Sequence, residues 1–184
     1  MQPHSPTPPG LIAAVGLGSN LGDSLNILQG AIATLNNHAH LWVLAQSHWY
    51  RTPALGPPQP DYINGCILLR CCCPALNLLS ILHQVEHHYG RVRQQHWGPR
   101  TLDLDLLFFG HQIIQTPQIS VPHPHLQDRA FVLQPLLDIY PDFQHPVLKQ
   151  TVRALAHAVS LDGIERISTQ STVPGFEAPP PKSP

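Results

Sequence analysis

Asp103 and Asp105 stand two apart in the run Thr101-Leu102-Asp103-Leu104-Asp105-Leu106-Leu107-Phe108-Phe109-Gly110. Leu/Asp alternation that then turns wholly apolar predicts a strand with one end at a polar site. Side chains two apart on a strand leave on the same face, with Cα atoms about 6.5–7 Å apart. The two carboxylates can therefore converge on one or two cations. Carboxylate oxygens suit Mg²⁺, a hard ion that holds substrate phosphates through one or two protein carboxylates. The plain alternative is a half-exposed strand with an acidic outer face. Local composition weighs against it. Between Tyr62 and Gln127 the only acids are Glu86, Asp103 and Asp105, and Asp is disfavoured in strands.

Just upstream, Gly90-Arg91-Val92-Arg93-Gln94-Gln95-His96-Trp97-Gly98-Pro99-Arg100 sets three arginines in a segment bounded by Gly and Pro. A guanidinium is a permanently charged planar fork that fits phosphate oxygens. Cations and carboxylates this close in sequence point to a metal-bridged polyphosphate. The alternative is a solvated loop whose arginines pair with Asp103 and Asp105.

The elements that must position these groups follow from periodicity. Residues 11–17 read as a short apolar strand, and Gly16-Leu17-Gly18-Ser19-Asn20-Leu21-Gly22 as a tight strand-to-helix turn. No Gly-Lys-Ser/Thr follows, and the only lysines are Lys149 and Lys182, so a P-loop is excluded. Asp23 or Ser24 caps a helix with Leu25, Leu28, Ile32 and Leu35 on one face. Residues 41–50 read as a strand with Leu41, Val43 and Ala45 on one face, followed by a proline-stiffened loop over 51–60. A strand over 62–73 precedes a helix that opens at Pro74, turns Leu78, Leu79, Leu82 and Val85 inward, and ends at Gly90. The order strand, helix, strand, strand, helix, strand predicts an α+β fold, a ferredoxin-like βαββαβ core with an antiparallel sheet and C-terminal additions. Those additions are a segment over 112–114, a Val121-Pro122-His123-Pro124-His125 loop, an apolar 129–139 broken by Pro135, and a helix near 151–159. The Pro-rich ends, 1–10 and 171–184, read as disordered extensions of one domain over 11–165.

Composition bounds the partners. Charged residues are 11% of 184 and the formal net charge is −1, which argues against nucleic acid and acidic membrane surfaces. No apolar stretch is long enough for a membrane span, and the start does not read as a secretory signal. A soluble cytoplasmic protein is the expectation. Cys66, Cys71, Cys72 and Cys73 are the only cysteines. Neighbours on a strand point to opposite faces, so the last three read as small apolar fillers in a reducing compartment rather than a disulfide framework or a zinc site. His83 and His87 sit at i, i+4 on one helix face, but the Glu between them is not at the metalloprotease position, and no metal role is expected of them.

With these residues in view, His96-Trp-Gly-Pro-Arg-Thr-Leu-Asp-Leu-Asp-Leu-Leu107 resembles the signature of the 6-hydroxymethyl-7,8-dihydropterin pyrophosphokinase family. Gly18-Ser-Asn-Leu21, Tyr50-Arg-Thr-Pro-Ala-Leu-Gly-Pro57 with Asp61-Tyr-Ile-Asn64, and Val121-Pro-His123 with Arg129-Ala-Phe131 resemble it too, in the family's order. The resemblance spans about residues 11–145. It implies transfer of diphosphate from ATP, as co-substrate, to the pterin hydroxymethyl group in folate biosynthesis, leaving AMP. It implies that Asp103 and Asp105 hold two Mg²⁺ ions. It implies catalytic roles for Arg91 and Arg100 on the transferred group, and for Trp97 in a closing loop. Tyr62 and Phe131 match the aromatics that sandwich the pterin, and Asn64 the amide that reads its edge. The backbone at Thr52, Pro53 and Leu55 completes that pocket. Glu86, Arg91, Arg100, His123 and Arg129 match ATP-contacting positions. Small-molecule substrates and a monomer are expected.

The chain departs from the family pattern in places. The loop from Gly90 to Trp97 is one residue shorter and less basic, Pro124 replaces an aromatic, and His83 stands where a Gln near the adenine is usual. Two other readings compete. One is an interaction module using Pro181-Lys182-Ser183-Pro184, a PxxP match; the other is a kinase of a different heterocycle. Asp103, Asp105 and Arg100 speak against the first, and Tyr62, Asn64 and Phe131 against the second.

Overall fold

A computed structural model describes residues 10–54, 56–91 and 98–168. The expected disordered ends at 1–9 and 171–184 lie outside the described residues. At the centre is β1 (Leu11–Ser19), flanked by β4 (Tyr62–Cys71) and β5 (Asp103–Phe109), both antiparallel to it. β2 (Leu41–Gln46) and β3 (Tyr50–Thr52) pair in succession along the far side of β4. A short β8 (Glu165–Arg166) pairs with β3. The result is a mixed α/β fold on a six-stranded sheet whose described pairings are all antiparallel.

Both faces of this sheet are covered. On one lie α1 (Ser24–Asn36) and α2 (Ala75–His88), which bring Leu28, Leu35, Leu78 and Leu82 against Ala13, Val15, Ile67 and Leu69. On the other lie α3 (Ala130–Ile139) and α4 (Val152–His157), whose Leu133, Leu136 and Leu155 meet Ala14, Cys66 and Leu68. Alternate residues of β1 and β4 thus enter two different cores. That is why these central strands read as nearly continuous apolar runs.

The local chemistry explains most boundaries. Asp23 caps α1 by accepting the Asn26 N–H at 3.3 Å, and Gly90, at φ 77°, ends the second helical unit. Several boundaries differ from the sequence expectation. The strand expected over 41–50 is two pieces, because the chain leaves the ladder after Ser47: its N–H still donates to the Cys66 carbonyl at 2.9 Å, but its Oγ accepts the Cys66 N–H and donates to the His48 carbonyl. A register shift between Val43 and Ala45 also moves Ala45 off the face of Leu41 and Val43, so it packs with Leu44 against the α3–α4 core. Pro135 does not break residues 129–139. It sits inside α3, where burial of Val132, Leu133 and Leu136 offsets the lost backbone hydrogen bond. A hairpin of β6 (Ile114–Gln115) and β7 (Ser120–Val121) then leads to a 3₁₀ turn over Leu126–Asp128 that delivers Arg129 to the start of α3.

Candidate active site

β5 lies beside β1 so that Asp103 faces Gly18 and Asp105 faces Gly16. Leu104 and Leu106 turn into the α1–α2 core, and the two carboxylates leave on the opposite face. The glycines expected to form a tight turn are therefore mostly strand: Gly16 and Gly18 lie within β1, and the turn falls on Gly22 at φ 73°. Their lack of side chains keeps space open in front of the carboxylates. A Cβ on Gly18 would stand 3.1 Å from Asn64 Oδ1 and 3.8 Å from Asp103 Cβ.

Three arginines converge on the pair. Arg91 Nη1 lies 2.6 Å from Asp103 Oδ1, and Arg100 Nη1 lies 2.5 Å from Asp103 Oδ2. Arg129 Nη1 stands 3.8 Å from Asp105 Oδ2, with its guanidinium carbon 5.8 Å from the centre of the Phe131 ring. Loss of water around Asp105, reinforced by the negative charge of Asp103, pushes its carboxyl up to about 6 against the opposing pull of Arg129, Arg91 and Arg100. A site that raises a carboxyl this way has room for more positive charge.

Two cavities meet at Asp105. The larger, about 370 Å³, is walled by Tyr62 and Phe131 and bordered by Thr52, Pro53 and Asn64, with Arg100 and both aspartates at one end. Asn64, 6% exposed, donates through Nδ2 to Thr52 Oγ1 at 2.7 Å, which fixes how the amide is presented. The Tyr62 hydroxyl, raised above its ordinary value chiefly by burial, donates to the Gly98 carbonyl at 3.3 Å. The smaller cavity, about 150 Å³, is bordered by His83, Glu86, Arg91 and His123, and again by Asp105. Burial, followed by the charge of Arg129, lowers His123 to about 4, so its imidazole is neutral at pH 7.

Of the residues singled out in the sequence, Arg91, Arg100, Asp103, Asp105, Thr52, Pro53, Tyr62, Asn64, Phe131, Glu86, His123 and Arg129 all gather around these two cavities. Leu55 and Trp97 lie outside the described residues. Glu86 is buried behind β5, where Oε1 accepts the Leu104 N–H at 2.8 Å and pairs with Arg91 Nη1. One contributor was visible only as part of a motif. Asn20, 4% exposed, accepts the Arg100 N–H through Oδ1 at 2.7 Å, while its own N–H donates to the Arg100 carbonyl at 3.0 Å. Its amide also donates to Gln59 Oε1 at 3.1 Å and to the Pro60 carbonyl at 3.0 Å. A buried Asn thereby ties the start of the aspartate strand to the loop that precedes Tyr62.

Paired carboxylates facing arginines beside an aromatic-walled cavity are the equipment of a phosphoryl-transfer enzyme. The family model described as 7,8-dihydro-6-hydroxymethylpterin-pyrophosphokinase matches residues 14–141. A 2-amino-4-hydroxy-6-hydroxymethyldihydropteridine pyrophosphokinase of Synechocystis sp. is 45% identical over 165 residues, which cover 90% of this chain and 82% of that protein. A protein of the same name from Pseudomonas aeruginosa is 42% identical over 154 residues, covering 83% and 94%. Among solved structures, a Plasmodium falciparum HPPK-DHPS variant with SDX-DHP superimposes at TM-score 0.72 and 16% identity, over 90% of this chain and 50% of that one. The wild-type HPPK-DHPS with pteroate gives 0.67 at 15% identity, over 84% and 43%. The chain spans half or less of those solved chains, and the likeness to them is one of fold. The chain belongs to the 7,8-dihydro-6-hydroxymethylpterin-pyrophosphokinase family.

Proposed function

We propose that this protein transfers diphosphate from ATP to the hydroxymethyl group of 6-hydroxymethyl-7,8-dihydropterin, giving AMP and the pterin diphosphate for folate biosynthesis. The observation that carries the reading is the position of Asp105. It borders both an aromatic slot and a second cavity lined by Glu86, Arg91 and His123. The acceptor and the nucleotide can then meet at one carboxylate pair.

The aromatic slot suits a flat heterocycle. Tyr62 and Phe131 offer faces for stacking, Asn64 a donor and an acceptor for the ring edge, and Thr52 and Pro53 backbone groups beside it. The nucleotide enters along the smaller cavity, with neutral His123 on its border and the Arg129 fork, which borders the larger cavity beside Asp105, as phosphate contacts.

Asp103 and Asp105 are the residues that would hold Mg²⁺. Their donor set fits: hard carboxylate oxygens two residues apart on one strand face, with substrate phosphates left to complete the shell. Two such ions, when bound, supply positive charge that offsets the charge building on the transferred group. The chain's own residues supply the rest. Arg91 and Arg100, held on Asp103, are placed to follow the transferred phosphates, whose charge is most widely spread in the transition state. Asn20 keeps the Arg100 backbone in register while the side chain moves.

The βαββαβ core of β1, α1, β2, β4, α2 and β5, in sheet order β5-β1-β4-β2, supports a ferredoxin-like description. The domain extends over about 11–165, with Pro-rich extensions at either end. Action as a monomer is part of the same proposal. A reducing cytoplasmic setting is part of the same proposal, and no described helix is long and apolar enough to cross a membrane.

Incubation with ATP, Mg²⁺ and hydroxymethyldihydropterin tests the proposal. Stoichiometric AMP and pterin diphosphate are expected. ADP with a pterin monophosphate, or no turnover of this pterin, would overturn it.

A further inference from the structure

At the end of the sheet remote from the aspartates, the triple cysteine has a geometry the reaction does not use. Cys71 closes β4 opposite Leu11 of β1, seven residues from Gly18. At about 3.3 Å per strand residue the thiols stand roughly 23 Å from the site. Strand alternation sends Cys71 and Cys73 to one side and Cys72 to the other. The Cys72 sulfur lies on the Gly10 side, 2.8 Å from where a Gly10 Cβ would be. Cys73 sits in a bend just past β4, and the chain turns its thiol back toward Cys71. The two sulfurs are 3.4 Å apart, and Cys71 Sγ also donates to the Cys73 carbonyl at 3.4 Å. All three cysteines border an open groove shared with Leu76, Gln112 and Ile114, and Cys72 and Cys73 are partly exposed, so a small reagent reaches Cys73 without unfolding.

The geometry points to Cys71 and Cys73 as a dithiol modification site that closes to an intramolecular disulfide on reaction with a low-molecular-weight disulfide. The site is independent of the proposed activity. The two thiols differ in exposure, and that assigns their roles. Cys73 is half-buried and faces the groove, whereas Cys71 is 2% exposed and burial pushes its thiol up to about 12. The thiolate is the nucleophile in exchange, so Cys73 attacks first. Its sulfur bonds to one sulfur of the small disulfide, whose S–S bond breaks and releases one thiolate. Cys71 then loses its proton and attacks the Cys73 sulfur of the mixed disulfide, expelling the second small thiolate. The protein gives up two hydrogens and two electrons, and the small disulfide becomes two thiols. A disulfide needs about 2.05 Å between sulfurs, so closure asks the pair to approach by a little over 1 Å.

The experiment incubates the full chain with oxidised glutathione, alkylates the remaining thiols, and maps the cysteines by peptide mass spectrometry. Expected is a product lighter by two hydrogens, reversed by dithiothreitol, with its bond between Cys71 and Cys73. Cys72→Ser should form the same bond. Cys71→Ser should stop at a glutathione adduct on Cys73, and Cys73→Ser should form no intramolecular bond. If Cys71→Ser fails to fold, the wild-type map decides by itself. A bond that includes Cys72, a disulfide between chains, or a wild-type protein that stops at mixed adducts would overturn the inference. Diphosphate transfer by the oxidised protein should stay within twofold of the reduced protein. A larger loss would place the thiols within reach of the site and overturn the separation argued above.

Discussion

Glu86 Oε1 accepts the Leu104 N–H at 2.8 Å, so a buried carboxylate on α2 holds the residue between Asp103 and Asp105. The same oxygen pairs with Arg91 Nη1, and Arg91 reaches on to Asp103 Oδ1 at 2.6 Å. A chain of charge therefore runs from the helix through an arginine to the first aspartate. Low dielectric strengthens each link, and equally penalises a gap in it. The family resemblance assigns Glu86 to ATP contact, yet these bonds give it a further duty in positioning.

Glu86→Ala should leave the Leu104 donor buried and unmet, at a cost of about 1–3 kcal/mol in unfolding free energy. It should also slow turnover by on the order of 10²-fold, the penalty of a displaced catalytic strand. Glu86→Gln keeps an acceptor for Leu104 and should recover most of the stability but not the Arg91 pairing. Urea unfolding alongside single-turnover rates separates the two effects. Equal stability of the Ala and Gln variants would refute the positioning role.

Asp103→Asn and Asp105→Asn should each abolish diphosphate transfer, because the fixed charge for the cations is lost where phosphate charge must be neutralised. Pterin binding without nucleotide should persist, since the stacking slot of Tyr62 and Phe131 is intact. Asp105→Asn should also melt no lower than the parent, because it removes a carboxylate crowded by Asp103. Near-normal turnover in either variant would be fatal to the two-carboxylate reading.

How far the sequence discloses this arrangement depends on local chemistry. Asp103 and Asp105 stood out because polar residues in an apolar strand need a reason, and four motifs in order named their context. The position of Ala45 is not legible, because the register shift after Val43 depends on pairing with β4, which no local signal encodes. Pro135 reads as a break because propensity is local, while the burial that offsets it comes from β4 and α4. Gly16 and Gly18 suggest a turn, since glycine in a strand announces itself only by what approaches it, here Leu107 at Gly16 and Asn64, Tyr62 and Asp103 at Gly18. Asn20 and Glu86 act through backbone groups of distant segments, and hydrogen bonds of that kind leave no periodic trace.

Burial of His145 gives a pH test away from the site. Its Nδ1 accepts the N–H groups of Val147 at 3.2 Å and Leu148 at 3.1 Å, and burial holds its pKa below the ordinary 6.5. A folded-state value below the unfolded one means the unfolded chain binds more protons in that window. Stability is then full above about 6.5 and falls as pH drops through the folded-state value. His123, lowered to about 4, contributes with the same sign. His145→Asn keeps an acceptor but cannot protonate, so its melting temperature should fall less than the parent's between about pH 7.5 and about pH 5. An unchanged slope would show that His145 does not titrate in this way.

The two arginines on Asp103 share a partner but differ in surroundings, which separates chemistry from structure. Arg100's side chain is 33% exposed and, among the described residues, pairs with Asp103, whereas Arg91's is 11% exposed and also pairs with buried Glu86. Charge on the transferred diphosphate is greatest in the transition state, so both side chains should matter more to rate than to ATP binding. Arg91→Ala and Arg100→Ala should each lower kcat by on the order of 10³, with ATP affinity changed far less. Only Arg91→Ala should also lower the melting temperature markedly, because it removes the guanidinium that pairs with the buried Glu86 carboxylate. Adding Glu86→Gln to Arg91→Ala should then restore stability without restoring rate, since the buried charge has gone but the guanidinium is still missing. Calorimetry, single-turnover kinetics and thermal unfolding of the three variants measure these terms separately. Loss of ATP affinity in proportion to rate would make the arginines simple binding groups, and an undiminished melting temperature in Arg91→Ala would break its link to Glu86.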